Sequence, residues 1–206
     1  MDMVFGRAWV ISTHQTNNLI AVGYDDGAVL FQFGKEEPVF SVDSNMKIYM
    51  VNKNTVQCFN PKKISDPCWH DSERLSIPFK DVGTFDFIPS DILHSPNGRF
   101  VTIINEDSFV VYSSVGFRSK CFGKGMMGGQ FAWSADSTMF GIAKSSVTIV
   151  LYRNFEKQPE IMKPRFGVDA IFGGPLLGVK STNGLAFYDW QTRALIRLID
   201  ISIKSV

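Results

Sequence analysis

The sequence predicts an all-β chain of repeated four-stranded sheets, and three observations predict it. Helical periodicity is almost absent, while short runs rich in Val, Ile, Phe and Tyr recur between turn signals. The runs come in matched pairs around short turns. Those pairs recur with a period near 40 residues, the length of a propeller blade.

In chain order, Leu19 to Val22 and Ala28 to Phe33 flank Asp25-Asp26-Gly27, and Ile48 to Val51 and Val56 to Phe59 flank Asn52-Lys53-Asn54. Phe100 to Ile104 and Phe109 to Tyr112 flank Glu106-Asp107, and Met139 to Ala143 and Val147 to Tyr152 flank Ser145-Ser146. The fifth pair surrounds Asn183-Gly184, a dipeptide suited to a type I′ turn because both central residues need φ > 0. Turns near 26, 106, 145 and 183 are spaced by 80, 39 and 38 residues, and 80 reads as two periods, with the hairpin near 53 inside it. A second echo has the same spacing: His94-Ser-Pro-Asn-Gly98 and Trp133-Ser-Ala-Asp-Ser137 lie 39 residues apart, each at the expected entry to a second strand. Tyr112, Tyr152 and Tyr188 fall in register at strand ends, so Asp189 reads as a turn anchor.

Along Val147 to Tyr152, Val147, Ile149 and Leu151 face one way and Val150 and Tyr152 the other. Apolarity on both faces fits a sheet sandwiched between two neighbours, since a strand with one wet face alternates more cleanly. A β-sandwich also uses short strands, but here the repeat is of four strands rather than one. The expectation is one WD-repeat β-propeller domain over 1–206, with about five blades. Asn60 to Pro89 is irregular and reads as a long excursion between blades or a degraded outer strand pair. Lys157 to Pro164 reads as a shorter exposed connection.

At 206 residues the chain is long enough for one sizeable core. The balance of 21 Lys and Arg against 20 Asp and Glu gives a net charge of +1 and no global field to recruit nucleic acid. Cys58, Cys68 and Cys121 form neither a disulfide framework nor a CxxC pair, and no N-x-Ser/Thr sequon occurs. A reducing compartment is expected. No signal peptide is legible after Met1-Asp2, and the longest apolar run, Ala170 to Val179, is half the length a bilayer needs, roughly 20 residues.

Chemistry-bearing patterns are few. Gly123-Lys-Gly125-Met-Met-Gly128-Gly129 matches the nominal dinucleotide fingerprint, but it leads into the strand-like Gln130 to Ser134 and opens no helix, so it reads as a loop. Cys58, Cys68 and His70 have no zinc-site spacing. His94-Ser95 lacks a nucleophile elbow, and adjacent strand residues point to opposite faces. Asp81, Asp86, Asp91 and Asp169 read as solvated acids in or near loops. Lys62-Lys63 and the set Arg118, Lys120 and Lys124, with Phe117 and Phe122 nearby, read as solvated loop charges. The expectation is no enzyme, no cofactor, no metal, no nucleic-acid partner, and no assignable catalytic, cofactor-binding or cargo-binding residue.

An ordered series of short matches then points to a family. Val22-Gly-Tyr-Asp-Asp-Gly27, Gly34-Lys-Glu-Glu-Pro38, Ser72-Glu-Arg-Leu75, Lys80-Asp-Val-Gly83, Pro96-Asn-Gly-Arg-Phe100, Phe131-Ala-Trp-Ser134 and Leu176-Leu-Gly-Val179 through Asn183-Gly-Leu-Ala-Phe-Tyr-Asp-Trp190 run over nearly the whole chain. Together they resemble the second propeller region of the coatomer beta-prime family, WD-repeat components of a vesicle coat. The resemblance implies a fragment of a seven-bladed propeller, itself one of two tandem propellers before a helical solenoid. It implies a non-catalytic scaffold in Golgi-to-endoplasmic-reticulum and intra-Golgi transport, cytoplasmic and peripheral on Golgi membranes and vesicles. Implied partners are other coatomer subunits, notably alpha-coatomer, with an ARF-family GTPase and dilysine cargo reached through the full-length complex. An incomplete propeller is also expected to self-associate or to close into a smaller ring. The alternative is a peptide-binding WD propeller of another trafficking or signalling complex.

Overall fold

The computed structural model describes residues 6–15, 19–32, 38–63, 78–85, 87, 89–182 and 184–201. Cys68, His70, Asp86, Asn183, Ser72 to Leu75 and Gly34 to Glu37, all singled out above, lie outside them. The described residues form nineteen strands in five antiparallel sheets, one 3-10 turn at Pro61–Lys63 and no α-helix. The chain divides into two compact units, residues 1–38 and 39–206.

The first unit holds one three-stranded sheet, β1 (Ala8–Thr13), β2 (Leu19–Tyr24) and β3 (Gly27–Gln32), ordered as in the chain. The second unit holds four sheets of four strands each. They are β4 (Phe40–Val42) to β7 (Lys80–Thr84) through β5 (Ile48–Asn52) and β6 (Thr55–Phe59), and β8 (Asp91–His94) to β11 (Ser119–Lys124) through β9 (Phe100–Ile104) and β10 (Ser108–Ser113). Then follow β12 (Phe131–Trp133) to β15 (Glu156–Met162) through β13 (Met139–Ser145) and β14 (Thr148–Arg153), and β16 (Ala170–Phe172) to β19 (Leu195–Ile199) through β17 (Leu177–Ser181) and β18 (Gly184–Tyr188). In every sheet the spatial order follows the chain, so each is an antiparallel meander.

Three apolar layers separate the four sheets of the second unit. Tyr49, Val56, Ile92, Val101 and Ile103 fill the first, and Ile104, Phe109, Phe131, Trp133, Phe140 and Tyr152 belong to the second. Ile149, Leu151, Leu177, Val179, Ala186 and Tyr188 belong to the third. The period-2 alternation sorts each strand between layers: Val150 and Tyr152 of β14 enter the second, Ile149 and Leu151 the third. Val147, expected on the same face, instead lies in the turn and is 58% exposed. The middle layer is an aromatic ladder, with Phe140 stacked on Tyr152 at 4.7 Å and Phe109 edge-on to both. Such pairs add about 0.5–1.5 kcal/mol beyond area burial.

A shared irregularity marks the third strand of each complete sheet. Its pairing with the fourth strand slips at Val56/Gln57, Val111/Tyr112, Val150/Tyr152 and Phe187/Tyr188. In three of the four the slip falls at the strand-end tyrosine, and such a bulge adds to the local twist of the sheet.

One expectation needs correction: Lys157 to Pro164 is largely strand β15, because Pro159 sits on the outermost strand of its sheet, where a missing N–H costs no ladder bond. Asp81 and Asp91 are exposed near the starts of strands β7 and β8. The turn at Asp25-Asp26-Gly27 is equivalent to those near 106, 145 and 183: Tyr24 opposes Gly27 across two residues, as Ser145 opposes Thr148 and Ser181 opposes Gly184. The His14 amide donates to the Leu19 carbonyl as the Ser95 amide does to Phe100 and the Ser134 amide to Met139, so β1, β2 and β3 are first, second and third strands.

Candidate interaction surfaces

In three of the four complete sheets the first strand ends in a polar bracket that turns the chain into the second. Ser134 Oγ accepts from the Met139 amide at 2.9 Å and lies 2.6 Å from Asp136 Oδ1, which also accepts from the Thr138 amide at 3.0 Å. Ser95 and Asn97 repeat this one sheet earlier: Ser95 Oγ accepts from the Phe100 amide at 3.0 Å and donates to Asn97 Oδ1 at 2.8 Å. In the preceding sheet Asp43 does the same work alone, accepting the Asn45 and Lys47 amides at 2.8 Å each. The hydroxyl of Ser134 and the Thr138 donors hold the Asp136 carboxyl below its usual range.

Successive brackets are linked. The Asn97 amide donates to Ser137 Oγ at 3.0 Å, and the Ala135 amide donates to the Gly174 carbonyl at 2.9 Å. Ser134 and Gly174 form a parallel bridge, so β12 and β16 run side by side. β4 and β8 do likewise, with Ser41 Oγ accepting the His94 amide at 3.2 Å and lying 2.8 Å from His94 Nδ1. His94 and Trp133, matched in the sequence echo, both face neighbouring sheets: Trp133 Nε1 donates to Thr102 Oγ1 at 3.1 Å.

Asp189 anchors the opposite kind of turn, between third and fourth strands. Its Oδ1 accepts from the Thr192 amide at 2.7 Å, the Gln191 amide at 3.0 Å and the Thr192 hydroxyl at 2.8 Å. The Thr192 donors hold its carboxyl below the usual range. Asp25, in the tight turn between β2 and β3 of the first unit, ties back to the start of β1, taking the Arg7 amide at 3.1 Å and the Trp9 indole N–H, the larger cause of its lowered pKa.

Three grooves are lined by described residues of the second unit. One of about 460 Å³ is walled by the first strands of three successive sheets, among them Leu93, His94, Phe131, Trp133 and Phe172. Another, about 250 Å³, runs between Asp136 and Asp189 beside Pro175 and Trp190, whose Nε1 donates to the Gly174 carbonyl at 2.9 Å. The third, about 450 Å³, is bordered by Lys47, Lys80, Cys58 and Phe117, and Lys47 Nζ there reaches Tyr49 Oη and, at 3.1 Å, the Ser114 carbonyl. In each groove the prominent polar groups already hold a turn or a neighbouring sheet.

The remaining candidates disperse. Gly125, Gly128 and Gly129 take positive φ in the loop between β11 and β12, and no helix follows. Cys58 is half-buried in β6 against the first apolar layer. Asp81 accepts from Gln57 Nε2 at 2.8 Å, Asp91 from the Ile92 amide at 2.7 Å and Asp169 from the Thr182 hydroxyl at 3.0 Å. Lys62 is exposed after β6, whereas Lys120 and Lys124 lie on strand β11, not in a loop. Sequence reasoning missed Asp25 as the acceptor for Arg7 and Trp9, a contact made across strands rather than within its own turn.

Repeated four-stranded meanders, apolar on both faces and joined by polar brackets, define a WD-repeat β-propeller segment. The family model described as the COPA/B second beta-propeller matches residues 53–206. The chain belongs to that family. It is 40% identical over 200 residues to "Coatomer subunit beta'" of Rattus norvegicus, covering 97% of this chain and 22% of the relative. The protein of the same name from Drosophila melanogaster is 38% identical over 204 residues, covering 98% and 22%. "Probable coatomer subunit beta'" of Caenorhabditis elegans is 36% identical over 203 residues, covering 97% and 20%. The chain thus spans about a fifth of the length of these relatives. Among solved structures, a chain of Kuenenia stuttgartiensis hydrazine synthase matches with a TM-score of 0.57 at 15% identity, over 84% of this chain and 53% of that one. A chain of a mitotic checkpoint complex matches at 0.57 and 10%, over 79% and 49%. At these identities the likeness is one of fold.

Proposed function

We propose that this chain is a non-catalytic scaffold segment of the coatomer vesicle coat, acting in Golgi-to-endoplasmic-reticulum and intra-Golgi transport. The observation that carries the reading is the 40% identity to coatomer beta-prime proteins over 97% of the chain. Its physical counterpart is the use of polar groups: Asp136, Asp189, Ser95, Ser134 and His94 hold turns and neighbouring sheets, the arrangement of a rigid body that presents surfaces. In this reading residues 1–206 form one propeller domain of a longer protein that works on the cytosolic face of Golgi membranes and vesicles. The other coat subunits, alpha-coatomer foremost, are its direct partners, while the ARF-family GTPase and dilysine cargo are met through the assembled coat.

Affinity purification of the full-length parent protein tests this. Recovery of alpha-coatomer and further coat subunits is expected, together with loss of at least one when the segment 39–206 is replaced by an unrelated propeller. Purification of the intact parent with no coat subunit overturns the reading.

A further inference from the structure

The groove of about 450 Å³ lies between two successive sheets of the second unit, with β7 as one wall and Ser114 to Phe117, the turn from β10 to β11, as the other. Its walls are fixed by packing. Tyr49 is fully buried and donates from Oη to the Ser114 carbonyl at 2.8 Å, and Phe117 stacks on Tyr112 at 4.4 Å. Val115, at the lip, is 85% exposed.

Cross-strand register decides which charges face the groove. Tyr49 opposes Cys58 and Cys58 opposes Lys80, so these three, with Lys47 two residues before Tyr49, share the face of the sheet that packs on the first apolar layer. Asp81 also borders the groove, but it opposes Gln57, whose Nε2 donates to its Oδ1 on the other face. Lys47 Nζ donates to Tyr49 Oη and to the Ser114 carbonyl, so half-buried Lys47 is held by neutral oxygens and its charge is left uncompensated. Asp43, close by in the chain, gives its Oδ1 to the Asn45 and Lys47 amides. Among the described residues the one ion pair joins Arg193 to Glu160, so neither Lys47 nor Lys80 has a carboxylate within salt-bridge reach there.

We propose that this groove receives an extended acidic segment of a partner protein, with one carboxylate between Lys47 and Lys80 and a neighbouring apolar side chain on Val82 and Val115. Charge complementarity sets the class of partner: two cations with no acid facing them reject a basic segment and attract an acidic one. Lys47 is immobilised beforehand, so it loses little side-chain freedom on pairing. A flat bilayer cannot follow a groove between sheets, whereas an extended peptide can. The site is independent of the coat assignment.

Selection of a displayed library of random octapeptides on the whole 206-residue chain tests this, with the affinity of recovered peptides measured by fluorescence polarisation. The recovered peptides are expected to carry Asp or Glu beside a large apolar residue and to bind saturably. Lys80→Glu, which gives Lys47 an internal counter-ion, and Val115→Asp, which sets an anion at the lip, each weaken binding by at least about tenfold. Lys144→Glu, an equal change of charge on β13, leaves binding unaltered. Both Lys80 and Val115 are exposed, and unchanged thermal unfolding confirms that the variants are folded. Recovery of no peptide, or only of peptides without an acid, overturns the proposal. So does acidic-peptide binding that survives both Lys80→Glu and Val115→Asp. Binding to phosphatidylserine vesicles that is lost in Lys80→Glu, with no peptide recovered, gives the groove to lipid and overturns it as well.

Discussion

Trp133 and Thr102 join two sheets through one buried hydrogen bond: the indole Nε1 of β12 donates to the hydroxyl of β9 at 3.1 Å. Thr102 is fully buried, and Trp133 is 5% exposed and stacked on Phe100. Thr102→Val keeps the shape and strands the indole N–H. A buried donor left unmade costs about 1–3 kcal/mol, and Thr102→Ser should recover most of the loss. Chemical denaturation of the two variants checks this.

His94 makes the fold sensitive to mild acid. Burial, with a smaller contribution from the Lys47 ammonium, pushes its pKa down to about 4, while Asp43 pulls the other way. The ring is packed edge-on to Tyr49 at 5.0 Å, with Ser41 at Nδ1. Between the ordinary value near 6.5 and 4 the unfolded chain binds the proton and the folded one does not. Stability is therefore full above about pH 6.5 and falls as pH drops toward 4. Because the ring is only partly buried, the loss is on the order of 1 kcal/mol after allowance for solvent screening. Urea midpoints of the parent and of His94→Gln should converge between pH 7 and 4.5, and equal slopes would count against the mechanism.

Gly173 sits where two sheets touch through backbone. A Cβ there would lie 2.2 Å from the Trp133 carbonyl oxygen and 3.0 Å from its nitrogen, and neither can swing away as a side chain could. Gly173→Ala should cost about 1–3 kcal/mol, the scale of overpacking. The same change at Gly116, whose Cβ meets nothing within 4 Å, should be far milder despite its φ of 76°. Thermal unfolding of the pair separates steric contact from backbone strain.

Asp136 draws its acidity from the bracket that it closes. Asp136→Ala should lower the midpoint of thermal unfolding at pH 7. Its folded pKa lies below the ordinary carboxylate value of about 3.9, so its contribution is complete above that value and is lost as pH falls below it. The gap between variant and parent should close toward pH 3. A gap that persists there would assign the effect to packing.

Much of this fold was legible because hairpins are local. Asp-Gly and Ser-Ser turns, paired β-branched runs and the spaced Ser-x-Asp/Asn brackets each involve residues within a few positions of one another. The first and fourth strands were harder to see. Phe40–Val42, Phe131–Trp133 and Ala170–Phe172 are three residues long, too short to carry a period, and Glu156–Met162 is polar with a proline because it is an edge.

By itself the sequence determined the strand class, the repeat and the family, because alternation, turn chemistry and ordered short matches are properties of neighbours along the chain. Only the tertiary structure decided what the polar residues do. Whether His94 faces Ser41 and whether Trp133 meets Thr102 depend on residues 53 and 31 positions apart being brought within hydrogen-bond distance. That proximity is set by how whole sheets stack, through apolar layers whose members come from two sheets at once, and no local pattern encodes it.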